Sequence, residues 1–201
     1  IRVVKEVEAR FGGLDILVNN AGVGDGGKFE EYSLDNWEWM VRINQFGVIY
    51  GCHHFIPTFK KQQLGQIMNI ASIAGVSCAP QMGAYNMTKA AVIAMSETLY
   101  GELMDDNIRV SCVMPSYFKT NIAKGVRGGD RIKKITQTFI ERSGFQATEI
   151  AQEILVRAGK GELYIILPKA ARKIWMMKRL MPTRLRRIVK EKYMQAIGRI
   201  R

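Results

Sequence analysis

Leu14-Asp15-Ile16-Leu17-Val18-Asn19-Asn20-Ala21-Gly22 is a short apolar run that closes on two amides and a glycine. A branched apolar run of this length has the pattern of a strand buried on both faces. The turn after it suits a backbone that must bend tightly against a bound group. On its N-terminal side, residues 4–11 read as the end of an amphipathic helix closed by Gly12-Gly13. On its C-terminal side, residues 22–27 form a Gly-rich loop. Ser33 or Asp35 can then cap a long helix running through Trp37, Met40, Val41, Asn44 and Val48 toward Phe59. Residues 67–71 give a second buried strand and residues 83–104 another long helix. Residues 108–114 give a third strand, stopped by Pro115. Residues 148–158 form a short helix, and residues 162–167 a fourth strand.

Strands alternating with helices predict a parallel α/β sheet with crossover connections. In such sheets ligands bind beyond the carboxyl ends of the strands. Asn19 to Gly22, Ser72 and Pro115-Ser116 all fall there. The alternation licenses a nucleotide-binding type of fold without naming a reaction.

Composition narrows the setting. With 201 residues, 47% of them hydrophobic, one domain can bury a proper core. No apolar run reaches about 18 residues, so no transmembrane helix is expected. Cys52, Cys78 and Cys112 are well separated, and His53 and His54 are adjacent. This spacing argues against a disulfide framework and a metal site, and it fits a reducing cytoplasm. The net charge of +12 is uneven: residues 168–201 hold five Lys, seven Arg and one Glu, leaving +1 for the other 167 residues. Any attraction for acidic partners therefore belongs to the tail.

Tyr85-Asn86-Met87-Thr88-Lys89 opens the second long helix. Residues four apart share a helix face, so Lys89 stands one turn from Tyr85. A phenol titrates near 10, too high for a good base at neutral pH, and a neighbouring ammonium favours the phenolate. Tyr85 and Lys89 can thus form an acid/base unit, although YxxxK alone is equally a helix Tyr beside a solvated Lys. Ser72 ends a strand 13 residues earlier, where its hydroxyl can polarise a substrate carbonyl, and Asn44 lies on the preceding helix.

In the order and spacing of these motifs the chain resembles the short-chain dehydrogenase/reductase family. The motifs are NNAG at 19–22, the helix Asn44, ASIAG with Ser72, YNMTK at 85–89 and PSYFKT at 115–120. The resemblance covers roughly residues 1–167 and implies a Rossmann-type doubly wound parallel sheet. Residues 1–167 would be its catalytic domain and residues 168–201 a separate basic amphipathic helical tail. Tyr85 is implied to be the acid/base and Lys89 to lower its pKa and bond the nicotinamide ribose. Ser72 is implied to hold the substrate oxygen, and Asn44 to anchor a water that relays protons to Lys89. Asn19, Ala21 and Gly22 would pack along NAD or NADP, with Pro115 and Thr120 at its nicotinamide end. The implied reaction is hydride transfer between that cofactor and a ketone, aldehyde or secondary alcohol, most readily an apolar one. A homo-oligomer without nucleic acid is implied. A sugar-nucleotide epimerase or dehydratase would also use YxxxK, but NNAG and the short C-terminal body favour the reductase branch. A catalytically silent binding protein of the same fold is the alternative from another class.

Two departures qualify the resemblance. Pro115-Ser116 stands where the family usually has Pro-Gly. Only 18 residues precede Asn19, so the Gly-rich phosphate loop and the residue that selects NAD or NADP are expected outside this sequence. The chain then reads as the C-terminal part of the fold, about four of seven strands, and an inactive fragment is a further alternative for it. Between Pro115 and Thr148, Gly125, Gly128 and Gly129 suggest a hinge. Ile132, Ile135, Phe139 and Ile140 recur at helical spacing, which suits a lid over an apolar substrate or a helix packed on the body or a sister subunit. In the tail, Ile174, Trp175, Met177 and Met181, then Leu185, Ile188, Val189 and Tyr193, form apolar stripes among basic residues. These suit an anionic membrane surface, the body of the protein or an oligomer interface.

Overall fold

A computed structural model describes residues 2–198. Arg199, Ile200 and Arg201 of the basic tail, and Ile1, lie outside them. The chain begins with α1 (Arg2–Phe11), β1 (Ile16–Asn19) and α2 (Leu34–Val41), then a π-helical turn (Arg42–Phe46) and α3 (Gly47–Gln62). β2 (Gly65–Ile70), α4 (Ala74–Ser77), α5 (Gly83–Leu103) and β3 (Ile108–Pro115) follow. The remainder is α6 (Gly129–Glu141), α7 (Ala147–Gly159), β4 (Tyr164–Leu167), α8 (Arg172–Leu180) and α9 (Pro182–Gly198). Among the described residues, no helix is long and apolar enough to cross a membrane.

The four strands form one parallel sheet in the order β1-β2-β3-β4. Alternate side chains feed two cores, as the period of a strand requires. Ile67, Val110, Cys112 and Met114 join Val48, Phe55 and Phe59 of α3 and Val92 of α5 on one face. Met68, Val113, Ile165 and Leu167 meet Ile150 and Ala158 of α7 on the other. Helices thus cover both faces, as a doubly wound sheet demands.

β1 corrects one expectation. Its run is not buried on both faces: Ile16 is 47% and Val18 49% exposed. The register pairs Val18 with Met68, which places both residues on the α7 face. That helix packs chiefly on β3 and β4, and the described residues supply no helix over this face of β1.

The long helix from Ser33 toward Phe59 forms, with Ser33 as its N-cap: its side chain accepts the Asn36 N–H. It is interrupted by the π turn, and Asn44, at the centre of that turn, is fully buried. An extra residue in a turn re-aims the side chains around it, and such turns recur at functional sites.

The thiols pack as small apolar groups. Burial pushes Cys52 up to about 11 and Cys112 up to about 12, so both remain protonated. Below them Asn19 Nδ2 donates to Asn69 Oδ1 at 2.8 Å, and Asn69 Nδ2 donates to Ser96 Oγ at 3.1 Å. This chain of bonds satisfies the polar groups buried between β1, β2 and α5.

The basic tail lies on the body. Ala171, Ile174 and Trp175 pack against the larger core. From α9, Tyr193 and Ile197 pack on Ile132 and Ile135 of α6. The Arg186 guanidinium caps the end of α4, donating to the carbonyls of Ser77 and Val76.

Candidate active site

At the carboxyl ends of the strands a cavity of about 750 Å³ opens between the loop after β1, the start of α5, the segment after β3, α6 and α9. Its walls are chiefly apolar, and Asn20, Ala21, Gly22, Ser72, Tyr85, Lys89, Pro115 and Thr120 all reach it. Tyr85 and Lys89 stand one turn apart near the N-terminus of α5, with Lys89 Nζ 5.9 Å from the centre of the Tyr85 ring. Burial raises the Tyr85 pKa, and the Ser72 hydroxyl beside it pulls it partly back. In this state the phenol is therefore a proton donor. The Lys89 ammonium, itself 4% exposed, is pulled down to about 8 by burial.

Lys89 Nζ donates to the Ile70 carbonyl at 2.7 Å. An ammonium has three N–H groups, and no other partner occupies the remaining two among the described residues. Gly22 lies directly against this group. A Cβ there would stand 3.4 Å from Lys89 Nζ and 3.3 Å from Asn44 Oδ1, filling the space in front of both. A buried ammonium with two unassigned donors behind a bare glycine fits a group rich in hydroxyls, such as a ribose.

Ser72, 8% exposed, is held by weak bonds. Its hydroxyl donates to the Pro115 carbonyl at 3.4 Å and accepts the Ala74 N–H at 3.1 Å. The long donor bond is readily exchanged for a better acceptor, such as a polarised carbonyl. Ser116 sits at negative φ, so Ser in place of Gly brings no backbone strain there.

Asn44 does not reach the cavity. Its Oδ1 accepts the Val23 N–H at 2.8 Å, and its Nδ2 donates to the Val23 carbonyl at 2.9 Å and to Thr88 Oγ1 at 3.1 Å. Thr88 Oγ1 in turn donates to the Tyr85 carbonyl at 3.0 Å. Asn44 thereby fixes the loop that carries Gly22 and the turn that carries Tyr85. Asn19 also lies off the cavity wall, since its amide is committed to Asn69, and its neighbour Asn20 takes that position.

Sequence reasoning missed Asp25. This carboxylate, 4% exposed, accepts the Gly26 and Gly128 N–H groups at Oδ1 and the Tyr32 hydroxyl at Oδ2. A Cβ on Gly128 would collide with the Gly26 carbonyl, so glycine permits this approach. Arg127, one residue earlier, lies 3.9 Å over the Trp39 ring. These contacts set α6 across the cavity, where Ile135, Phe139 and Ile140 form part of its wall and Phe139 stacks on Tyr117 at 4.9 Å. A lone Asp among glycines gives no sequence signal for a bond to a residue 103 positions away.

A parallel sheet with Ser72, Tyr85 and Lys89 at its carboxyl edge puts this cavity where open α/β sheets take their ligands. The chain belongs to the short-chain dehydrogenase family, whose model matches residues 1–130. An uncharacterized oxidoreductase of Staphylococcus aureus (strain MW2) is 32% identical over 147 residues, which are 73% of this chain and 64% of that protein. The 3-oxoacyl-(acyl-carrier-protein) reductase FabG of Thermotoga maritima is 31% identical over 163 residues, covering 81% of this chain and 66% of that one. A short chain dehydrogenase/reductase from Burkholderia phymatum, solved in complex with NAD, superposes with a TM-score of 0.83 at 27% identity. The match covers 91% of this chain and 72% of that one. A short-chain dehydrogenase from Sphingobium yanoikuyae in complex with NADPH gives a TM-score of 0.72 at 25% identity, covering 90% and 70%. The chain thus spans 64% of the length of the first curated relatives it matches.

Proposed function

We propose that this chain carries the catalytic centre of an NAD(P)-dependent oxidoreductase acting on a ketone, an aldehyde or a secondary alcohol, with an apolar substrate body. The observation that carries this reading is the convergence of Tyr85, Ser72 and Lys89 at one end of a largely apolar cavity. The nicotinamide, when bound, supplies or takes the hydride. Tyr85 gives its proton to the carbonyl oxygen in reduction and takes it from the hydroxyl in oxidation. Ser72 leaves the Pro115 carbonyl and donates to the same oxygen, polarising it. Lys89 would hold the ribose hydroxyls with its two remaining N–H groups, and its charge favours the phenolate once proton transfer begins. The Asn44 side chain, committed to Val23 and Thr88, is a positioning group. Ala21, Gly22, Pro115 and Thr120 line the cofactor side, and either NAD or NADP suits these walls.

A cytoplasmic homo-oligomer fits this reading. Phe46, Ile49 and Tyr50 leave an exposed apolar stripe at the start of α3 that a second copy can cover. Residues 168–201 act with the catalytic domain of residues 1–167 as a basic arm. Met176 and Leu180 of α8 remain exposed among Lys173, Lys178 and Arg179 for contact with an anionic membrane.

The test is turnover by the protein expressed from its whole reading frame, with NADH or NADPH and a panel of aliphatic ketones. Loss of reduced cofactor at 340 nm that stops in Tyr85→Phe supports the reading. Absence of ketone-dependent oxidation with either cofactor overturns it.

A further inference from the structure

The α9 side of the cavity is not apolar throughout. Lys192 and Tyr193 are consecutive residues of α9, and both line the cavity. Among the described residues, three charged ones line the wall: Asp25, Lys89 and Lys192. Asp25 is spent on Gly26, Gly128 and Tyr32, and Lys89 belongs to the acid/base unit. Lys192 is exposed and pairs with no acid among the described residues. Tyr193 is 7% exposed, yet no partner holds its hydroxyl among the described residues. A buried phenol generally finds a partner, and one without it that faces a cavity is a donor awaiting a ligand. Burial raises the Tyr193 pKa and keeps its O–H as a donor, with Arg131 of α6 opposing that shift only in part. A cation and a free hydroxyl thus face one space whose other walls are chiefly apolar.

We infer that α9 is a substrate-binding element, and that the cavity takes an amphiphile whose apolar body lies along α6 and whose carboxylate or phosphate is held by Lys192 and Tyr193. The substrate class rests on the reading of Tyr85 as the acid/base, because the reacting carbon must lie at that residue while the anion lies at α9. Tyr85, Tyr117 and Tyr193 line the one cavity, so one ligand can reach from the acid/base to α9. The ligand anion would accept from the ammonium and from the Tyr193 O–H, the charge-assisted bonds that such groups form most strongly. A neutral ligand of the same length would leave both donors as they are now.

Binding, rather than turnover, tests this. The protein is titrated calorimetrically below the micellar range with dodecanoate, dodecyl phosphate, dodecanol and dodecyltrimethylammonium. Expected is a preference of about fivefold for either anion over dodecanol, the scale of a partly exposed ion pair with one added hydrogen bond. Lys192→Met, which keeps the apolar length of the side chain, should bring the ratio to about one. Lys192→Glu should favour the ammonium amphiphile, and Tyr193→Phe should halve the preference without abolishing it. Equal binding of anion and alcohol, or an anion preference that survives Lys192→Met, overturns the inference while leaving the apolar cavity standing. Binding of none of the four overturns both. Turnover of a neutral ketone reports on Tyr85 alone and separates the two readings: a ketone reductase without an anion preference retains the catalytic assignment and loses this one.

Discussion

The Asp25 carboxylate accepts the Gly128 N–H at 2.7 Å, joining the loop after β1 to the start of α6 across 103 positions of sequence. The same carboxylate holds the Gly26 N–H at 2.9 Å and the Tyr32 hydroxyl at 2.7 Å. Asp25→Ala strips three bonds at once and leaves buried donors without partners. Hydrogen bonds to a charged group are each worth about 1.5–3 kcal/mol and do not add fully, so a loss of roughly 3 kcal/mol is expected. It should appear as a lower urea midpoint at unchanged slope. Asp25→Asn keeps the Oδ1 acceptor and should lose about 1 kcal/mol. A parental midpoint for the alanine variant would mean that the clasp contributes nothing.

Replacing Tyr85 by Phe removes the proton donor and leaves the ring. General acid/base groups contribute about 10²–10⁴-fold, and kcat should fall by that much while the dissociation constant for NADH or NADPH stays within about twofold. A variant with near-parental kcat removes Tyr85 from the mechanism.

The main elements were legible from pattern, and their environments were not. Residues 67–71 and 108–114 are apolar enough to announce buried strands, and both form. The run at Ile16-Leu17-Val18 is equally apolar, yet Ile16 and Val18 are half-exposed, because burial depends on which helix crosses the far face. Asn44 reads as a helix Asn, but no residue type around it marks the π turn that buries its side chain. Ser72, Tyr85 and Lys89 could be picked out by spacing, and they meet at the cavity. Asn19 and Asn20 are chemically identical, and strand register alone decides which faces inward and which faces the cavity. The apolar stripe of α9 could be read, but its partners Ile132 and Ile135 lie some sixty positions away, and sequence gives no rule for that pairing.

Lys89 makes stability depend on pH in a fixed direction. Its folded pKa is pulled from 10.5 down to about 8 by burial. Between these values the unfolded chain holds a proton that the folded chain has released, so stability rises with pH across that window. Below about 8 both states carry the charge, and its burial cost is constant. Lys89→Met should remove the rise. The difference in thermal midpoint between parent and variant, followed from pH 7.5 to 10.5, should therefore shift in favour of the parent. A difference that does not change with pH would place the Lys89 pKa at its ordinary value. In the reductive direction, ketone turnover by the parent should also fall above about pH 8, as Lys89 loses the charge that favours the Tyr85 phenolate left by proton transfer.

The exposed stripe at the start of α3 carries its own prediction. Phe46, Ile49 and Tyr50 are 42%, 39% and 58% exposed, and the Phe46 and Tyr50 rings lie 5.8 Å apart. A second copy would bury them, and Ile49→Glu with Tyr50→Glu would place charges in that contact. Sedimentation should give a multiple of 22.7 kDa for the parent chain and that mass for the double variant. A parent that sediments as the monomer removes the oligomer from the reading.

The outer face of the tail gives the last prediction. Leu185, Tyr193 and Ile197 are buried on the body, and Arg186 is fastened to the end of α4, so these side chains cannot enter a lipid surface without unfolding the cavity wall. What stays available is Met176 and Leu180, 54% and 73% exposed, with Lys173, Lys178 and Arg179 around them. Two apolar anchors give weak insertion, while each basic residue near an anionic surface adds on the order of 1 kcal/mol at low salt. Flotation with phosphatidylserine-containing liposomes should therefore carry the protein at low ionic strength and release it as the Debye length shrinks toward about 8 Å at physiological salt. Met176→Ser with Leu180→Ser should weaken flotation and leave the thermal midpoint unchanged, because neither side chain is part of the core. Flotation onto neutral phosphatidylcholine vesicles to the same extent, or none at any salt, would leave the tail as a wall of the substrate cavity with no role at a membrane.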